Sequence, residues 1–293
     1  MTVIVQPASR LPFLGAIPRA IPRDVLSVIA LVVLSVLVLA AVFAPWVTPY
    51  PADAQGATHP LQALLAPSPA HWFGTDGVGR DILTRVVFGA RTSLIVVAAV
   101  LLFAIVVGTL SGVVAGFAGG IVRDLIMRIT DIFLAFPALL LALALALVLP
   151  RGIPTLVLCV AITWWPWYTR LAGSIAASIS QRGYVDAART LGVSSPKIVF
   201  RHVLPNSLTP VIVQASLDAG GVIIVVATLS YLGLGVSEPT PEWGLMVQQG
   251  QALITTHWWV VTFPALAILV TAFCFNVLGE GLRVSLDPKR VAR

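Results

Sequence analysis

The chain holds few residues whose type and spacing could support catalysis. Gly74, Gly77 and Gly79 form a glycine-rich stretch, but it contains no GxxxxGKS or GxxxxGKT loop and follows no predicted strand, so it does not indicate a phosphate site. The sequence also has no HExxH zinc motif, no Ser-His pair at usable depth and no paired acids in its apolar runs. It therefore predicts no catalytic residue, no metal site and no cofactor bound by this chain.

Asp218 is the single acid inside a long apolar run, residues 208–235. An uncompensated charge within hydrocarbon is costly, so an acid at such a position indicates either function or pairing. Two interpretations stay open. Asp218 could pair with an Arg or Lys of a partner, which we rank first, or it could line a water-filled path and contact substrate.

A polar, basic interval, residues 184–206, separates the apolar runs in the C-terminal part of the chain. We call this interval the elbow. Its first part, residues 185–191, contains Ala187 and Ala188, which favour helix, and Gly192 follows where a C-terminal cap belongs. The elbow is thus predicted to begin with a short helix that ends in a tight turn.

A second short helix is predicted after that turn. Ser195 before Pro196 is typical of a helix start, and we expect this helix to run to about residue 203 and to end before Pro205. Two interpretations of the elbow stay open: it docks on a partner protein, or its basic residues only orient the chain in the membrane. These basic residues are Lys197, Arg201 and His202.

The composition is that of a membrane protein. Of 293 residues, 58% are hydrophobic and only 10% are charged, and the mean hydropathy is +0.97. These values exclude an ordinary soluble domain. The net charge of +6 is spread over alternate loops and forms no single patch, so it does not indicate nucleic-acid binding. Cys159 and Cys274 lie inside apolar runs and are expected to be core or lipid-facing thiols.

Six apolar runs are long enough to cross the bilayer, which needs about 20 residues of helix. The sequence therefore predicts an all-α polytopic membrane protein with six transmembrane helices. Gly108, Gly112 and Gly116 are spaced four residues apart and should pack against another helix. We expect Pro137 to kink the third span. The aromatic run 164–168 is expected to lie at a membrane interface, and stacking on substrate is the second interpretation. The six runs are residues 25–44, 92–117, 132–149, 153–169, 208–235 and 258–279.

The distribution of basic residues predicts the orientation. With six spans and a cytosolic N-terminus, fourteen of the eighteen Lys and Arg residues lie in cytosolic segments. The positive-inside rule therefore places both termini and the elbow in the cytosol. The basic residues left outside are Arg80, Arg85, Arg91 and Arg151.

The elbow resembles the cytoplasmic coupling motif of ABC importer permeases, which reads Glu-Ala-Ala, three residues, Gly, nine residues, Ile, one residue, Leu-Pro. Two positions depart from it, because Asp186 replaces the Glu and His202 replaces the Ile. The resemblance implies that the elbow inserts into a groove on an ATPase subunit. The coupling residues that it assigns are Asp186, Ala187, Ala188, Gly192, Ser195, Pro196, Lys197, Arg201, Leu204 and Pro205.

Three further stretches resemble the dipeptide, oligopeptide and nickel branch of these permeases. The loop 236–251 contains PTPEWG and lies near the translocation path in that family, so Trp243 is placed in the path together with Asp218. The C-terminal end of the chain resembles the closing signature of the same family, except that Glu280 stands where Asp is commoner. Many members of the family carry a Glu where this chain has Val226, so no gating role of that acid is assigned to this chain. The third stretch matches at Gly74, Thr75, Asp76, Gly79, Arg80, Asp81, Arg85, Gly89, Arg91, Ser93 and Leu94.

The resemblance implies a type I ABC importer permease fold in a bacterial cell membrane. It implies a non-catalytic permease subunit of an ATP-driven importer for dipeptides or oligopeptides, with ATP and Mg bound by two partner ATPase subunits. The other implied partners are a second permease, forming a heterodimer, an extracytoplasmic peptide-binding protein and membrane lipid. Two alternatives stay open: a permease for nickel or glutathione-like substrates and, from a different class, an ion-coupled secondary transporter.

This interpretation divides the chain into three parts. Residues 1–24 form a cytosolic N-terminal tail. Residues 25–70 form the first transmembrane helix and an extracytoplasmic segment. Residues 71–293 form the permease core, which carries the cytosolic coupling loop 170–207.

Overall fold

The computed structural model describes residues 24–286, whose regular elements are all helices, with no β-strand among them. The predicted all-α class is confirmed for this part of the chain. The tail before Asp24 and the end of the closing signature, residues 287–293, lie outside the described residues. The helices are α1 (Val25–Val42), α2 (Ala44–Val47), α3 (Ile82–Ala118), α4 (Gly120–Leu134), α5 (Ala138–Val148), α6 (Ile153–Ser180), α7 (Gly183–Thr190), α8 (Ser195–Ile198), α9 (Leu204–Tyr231), α10 (Trp243–Gly250) and α11 (Trp259–Leu286).

Four helical segments of residues 24–286 are long and apolar enough to cross a membrane, or five if the bent pair α4 and α5 counts as one span. The four are α1, α3, the continuous stretch from α8 to α9, and α11. Helix α6 has 28 residues but is not among them, because tryptophans, prolines and Arg170 lower the hydropathy of its middle. Six spans and cytosolic termini therefore stay predictions.

The third predicted span is a broken helix. Helices α4 and α5 meet at 83°, and Pro137, between them, has an extended ψ of 124°. Proline disfavours helix in the residue before it and lacks an N–H donor, which explains a break in place of the expected kink. The polar residues Arg123, Asp124 and Arg128 lie on α4.

Helices α3 and α6 run parallel and pack closely along the glycine seam. A Cβ added at Gly112 would lie 2.4 Å from the carbonyl oxygen of Thr169, and one at Gly116 would lie 2.3 Å from that of Gly173. Gly108 similarly faces the backbone of Trp165. Only glycine permits this backbone approach, so the predicted packing role of the three glycines is confirmed.

The elbow continues into α9 without a break. Helix α8 covers only Ser195–Ile198, and a π-helical turn follows over Val199–Val203. The prediction that the second helix ends before Pro205 is therefore wrong. In the π turn the N–H of Leu204 donates to the carbonyl of Val199, and Pro205 then lies in the first turn of α9. Proline is tolerated there because it needs no hydrogen-bond acceptor.

Two apolar clusters form most of the core. The larger one lies among α3, α6, α9 and α11 and includes Cys159. The second lies nearer the elbow and is built by α3, α6, α9 and the elbow itself. Cys159 and Cys274 are both buried free thiols, and Cys274 packs with Ala30 and Leu34 of α1. Of the two expected places, core or lipid-facing, the structure shows the core for both thiols.

Candidate coupling and translocation site

The first half of the elbow is α7, and it ends at the predicted position. Gly192 adopts a φ of +76°, in the left-handed region that favours glycine. Its N–H donates to the carbonyl of Arg189 at 3.0 Å, and the N–H of Val193 donates to the carbonyl of Ala188 at 3.1 Å. These bonds satisfy carbonyls that the helix end leaves open. Helix α8 starts after Ser194, whose side chain makes no capping bond.

The outer side of the elbow is polar and exposed. Asp186 and Arg189 form an ion pair at 3.3 Å, and the Arg189 guanidinium also lies 5.1 Å from the centre of the Phe117 ring at the end of α3. This cation–π contact joins the elbow to α3, and sequence analysis missed it because the two residues are far apart in the chain. Of the predicted coupling residues, Ala188, Leu204 and Pro205 are half-buried, and the others are exposed: Asp186, Ala187, Gly192, Ser195, Pro196, Lys197 and Arg201.

The inner side of the elbow is apolar. Val185, Ile198 and Val203 are fully buried. They belong to one cluster with Tyr168 of α6 and Ala215 of α9. The elbow is therefore packed against both of the long helices that it connects.

Asp218 is half-buried on α9, and both of its carboxylate oxygens accept hydrogen bonds. The Tyr168 hydroxyl donates to Oδ2 at 2.8 Å, and Gln214 Nε2, one helical turn earlier, donates to Oδ1 at 2.9 Å. Within residues 24–286, no Lys, Arg or His forms an ion pair with Asp218. Its partners in the described chain are neutral donors.

A cavity of about 580 Å³ lies beside Asp218. Ligand pockets in proteins commonly measure about 300–1,000 Å³, so its size suits a small molecule. Arg170 also lines the cavity, and its Nη2 lies 2.6 Å from Oδ1 of Asp131 on α4. The lining residues are Trp164, Trp167, Arg170, Leu171, Gln214 and Asp218.

The aromatic run 164–168 is divided between the core and this cavity. Trp164 and Trp167 line the cavity, whereas Tyr168 is fully buried. The expectation that the whole run lies at a membrane interface is therefore wrong for Tyr168. A hydroxyl aimed at Asp218 explains why a tyrosine is accommodated inside the core, because buried polar groups need a partner.

Trp243 lies in the packed core of the structure, and its place in the translocation path stays a prediction. Its side chain is fully buried, and Nε1 donates to the carbonyl of Val86 at 2.8 Å. Its ring covers Gly89, where an added Cβ would lie 2.9 Å from Cδ1. In this structure Trp243 anchors α10 on α3 and lies apart from the cavity of Asp218.

Residues 104–291 match the family described as "Binding-protein-dependent transport system inner membrane component". The chain belongs to this family. Residues 20–67 of this permease also match the "N-terminal TM domain of oligopeptide transport permease C". The suspected resemblance to the dipeptide and oligopeptide permeases is thereby confirmed, and the protein is an inner membrane component. Membership implies a substrate-binding protein and an ATPase as partners.

Relatives of this permease match it over nearly the whole chain. The "Probable D,D-dipeptide transport system permease protein DdpC" of Escherichia coli is 41% identical over 98% of this chain and 96% of its own. The "Dipeptide transport system permease protein DppC" of Alkalihalophilus pseudofirmus is 40% identical over 92% and 88%, respectively. The "Glutathione transport system permease protein GsiD" of Escherichia coli is 40% identical over 92% and 89%.

The solved structures give the fold. A chain of the MetNI methionine ABC transporter matches 69% of this permease and 96% of its own length, with a TM-score of 0.56 and 17% identity. This likeness shows the type I ABC importer permease fold.

At the end of α3 far from the elbow, the permease carries a charged cluster that sequence analysis did not predict. Asp76 Oδ2 accepts a hydrogen bond from Arg80 Nε at 2.7 Å and lies 3.7 Å from Arg85 Nε. Arg80 Nη2 in turn donates to Glu238 Oε1 at 2.9 Å, and this bond holds the pKa of the Glu238 carboxyl below its usual range. Gln249 donates to the same oxygen at 2.6 Å. The cluster joins the start of α3 to the loop before α10.

Asp81 organises the same end of α3. Its Oδ2 accepts from the N–H of Thr84 at 2.8 Å and caps the helix, while Oδ1 bonds His71 Nδ1 at 2.9 Å. Its own N–H donates to Asp53 Oδ2 at 2.7 Å. The signature positions Asp76, Arg80 and Asp81 were the available signal for this cluster, but Asp53 and Glu238 lie too far away in the chain for any local pattern to include them.

The glycine-rich stretch before α3 serves close packing. Gly74 and Gly79 adopt φ values of +75° and +83°. A Cβ added at Gly79 would lie 1.9 Å from the carbonyl oxygen of His59, so that position admits no side chain. Backbone approach explains these glycines without a phosphate ligand.

Proposed function

We propose that this permease forms half of the translocation path of an ATP-driven importer for dipeptides or oligopeptides, paired with a second, different permease. One of two ATPase subunits docks on the elbow in the cytosol, and an extracytoplasmic binding protein delivers the peptide. The relatives named for D,D-dipeptides and dipeptides support this substrate class. The matched domain of an oligopeptide permease supports it as well.

The observation that carries the proposal is the packing that the elbow shares with the cavity wall. Val185, Ile198 and Val203 lie in the same apolar cluster as Tyr168, and the Tyr168 hydroxyl bonds Asp218 beside the cavity. Densely packed clusters move as units because their side chains leave little free volume. When the ATPase subunits close on ATP and displace the elbow, this cluster shifts α6 and α9 together and changes the side from which the cavity is open.

When the elbow is displaced, α9 bends near its start. Pro210, inside α9, removes a backbone hydrogen bond from the helix, and the π turn already widens it at Val199–Val203. Further along, α9 is held tightly, because a Cβ at Gly220 would lie 2.5 Å from Asn276 Nδ2 of α11. Gly220 is therefore a close packing point, and the bending is concentrated near the elbow.

Two substitutions in the elbow test the coupling. Gly192→Pro requires a φ near −65° where the chain has +76°, and Ala188→Trp places a bulky side chain on the half-buried face of α7. We expect both variants to reach the membrane and to assemble, but to lose most ATP-driven peptide uptake in proteoliposomes. ATP hydrolysis should continue without its stimulation by the peptide-loaded binding protein.

Gly119→Pro is the matched control. Gly119 has a φ of +64° and open space around it, and it lies outside the elbow between α3 and α4. Its N–H donates to the carbonyl of Ala115, and its carbonyl accepts from the N–H of Arg123. Its substitution should disturb uptake much less than Gly192→Pro does. Full uptake by both elbow variants would contradict the proposed coupling.

Glutathione is a second candidate substrate, because one relative of similar identity is named for glutathione transport. Uptake of radiolabelled dialanine by the complete importer, challenged with a hundredfold excess of D-Ala-D-Ala, glutathione or nickel, separates the candidates. A dipeptide importer is inhibited by D-Ala-D-Ala and not by glutathione or nickel. Inhibition by glutathione alone would instead assign the permease to the second candidate.

A further inference from the structure

We infer that Asp218 is the binding site for the protonated amino terminus of the transported peptide inside the permease, with Trp164 and Trp167 beside it. The inference rests on the proposed function, since it names the group of the peptide that the cavity recognises. It assigns an ammonium site to this chain, in addition to any recognition by the binding protein.

The charge balance of the cavity supports a cationic ligand. Asp218 accepts bonds from the hydroxyl of Tyr168 and the amide of Gln214, which orient the carboxylate without neutralising it. The cationic residue on the same wall, Arg170, is already matched by Asp131 at 2.6 Å. Among residues 24–286 the carboxylate thus keeps an unmatched negative charge, which a bound ammonium group would balance.

The neighbouring side chains suit an ammonium group as well. Trp164 and Trp167 are three residues apart on α6, so they lie on one helical face, and both line the cavity. The faces of indole rings attract cations. An ammonium group has three N–H donors, so it can bond the carboxylate and still lie against an indole face.

The dimensions suit a short peptide held by one end. The cavity of about 580 Å³ is larger than a dipeptide needs, so its walls do not enclose the side chains closely. Recognition of the amino terminus, which all unmodified peptides share, allows side chains of many kinds to pass. Asp218 lies about 21 Å along α9 from Leu204, near the midpoint of that helix.

A binding measurement on the assembled importer tests the site. The complete complex, in lipid nanodiscs and without its binding protein, is titrated with dialanine and with N-acetyl-dialanine, which lacks the ammonium group. We expect wild type to bind dialanine at least tenfold more tightly than the acetylated form. Asp218→Asn should abolish this preference by weakening dialanine alone, and Asp218→Glu should restore part of it.

Asp124→Asn is the matched control, because it removes an exposed carboxylate of α4 outside the cavity and should leave the preference intact. Equal affinities of wild type for the two peptides overturn the inference, and so does a preference that survives Asp218→Asn. Loss of the second permease from the Asp218→Asn complex also overturns it, because Asp218 then pairs with that partner.

The proposed function and the ammonium site at Asp218 can be tested independently of each other. Uptake of dialanine by the wild-type importer with its binding protein tests the proposed function without reference to Asp218. An importer that transports dialanine but shows no ammonium preference in its cavity retains the proposed function and loses only this inference.

Discussion

The hydroxyl of Tyr168 donates a 2.8 Å hydrogen bond to Oδ2 of Asp218, and this bond joins the helix that enters the elbow to the helix that leaves it. Tyr168 itself is fully buried in the cluster that anchors the elbow. This pair of residues therefore connects the cluster that anchors the elbow with the wall of the cavity.

Tyr168→Phe should weaken both the fold and transport. The change removes one of the two donors of a half-buried carboxylate, which costs about 1–3 kcal/mol of stability. We expect a lower thermal unfolding midpoint of the purified complex and reduced peptide uptake. Tyr231→Phe is the control, because its hydroxyl bonds Gln251 at 2.7 Å in an exposed position. Equal effects of the two substitutions would argue against a special role for the Tyr168 bond.

Gly112→Ala should destabilise the permease. The new methyl group would lie 2.4 Å from the carbonyl oxygen of Thr169, so α3 and α6 must separate, at a cost of about 1–3 kcal/mol. Gly221→Ala is the comparison, because its nearest neighbour, Trp164 Cζ2, is 3.9 Å away. That change should be neutral or stabilise α9 by up to about 1 kcal/mol. Thermal unfolding in detergent measures the stability of both variants. A Gly112→Ala protein as stable as wild type would contradict the close packing of α3 against α6.

Trp243→Phe should affect stability more than substrate choice. The substitution leaves the Val86 carbonyl without its buried donor, which lowers the free energy of unfolding by about 1–3 kcal/mol. Because Trp243 is fully buried away from the cavity of Asp218, the relative uptake rates of different dipeptides should stay unchanged. Trp72→Phe, at a 70% exposed position, is the control. A changed order of preferred dipeptides would indicate that Trp243 lines the translocation path.

The bond between Glu238 and Arg80 predicts a dependence of stability on pH. The hydrogen bond from Arg80 lowers the pKa of Glu238 in the folded state below its ordinary value of about 4.5. The bond therefore stabilises the fold above about pH 4.5, and its contribution is lost as the pH falls through the lowered pKa. The difference in unfolding temperature between wild type and Glu238→Gln should be largest near neutral pH and shrink in acid.

Glu280→Gln is the control for this measurement. Glu280 pairs with Arg283 at 3.3 Å on the surface, where ion pairs contribute little. Its substitution should leave the unfolding temperature nearly unchanged. A difference in unfolding temperature between wild type and Glu238→Gln that grows as the pH falls would contradict the assigned bond between Glu238 and Arg80.

Local features of the structure were predictable from the sequence. The cap at Gly192 follows from residue type and position, and the packing of Gly112 follows from its spacing with two other glycines. The elbow itself was recognised from a motif in one continuous stretch. The prediction of a helix end before Pro205 was wrong, because a π turn continues the helix through a proline, which usually ends a helix.

The amino-acid sequence by itself determined the membrane class, the all-helical content and the small-residue seam, because composition and periodic spacing act within one segment at a time. Only the tertiary structure decided that Tyr168 holds Asp218, that Trp243 is buried and that Asp76, Arg80 and Glu238 form one cluster. These contacts join segments far apart in the chain, and which segments meet depends on how all the helices pack together.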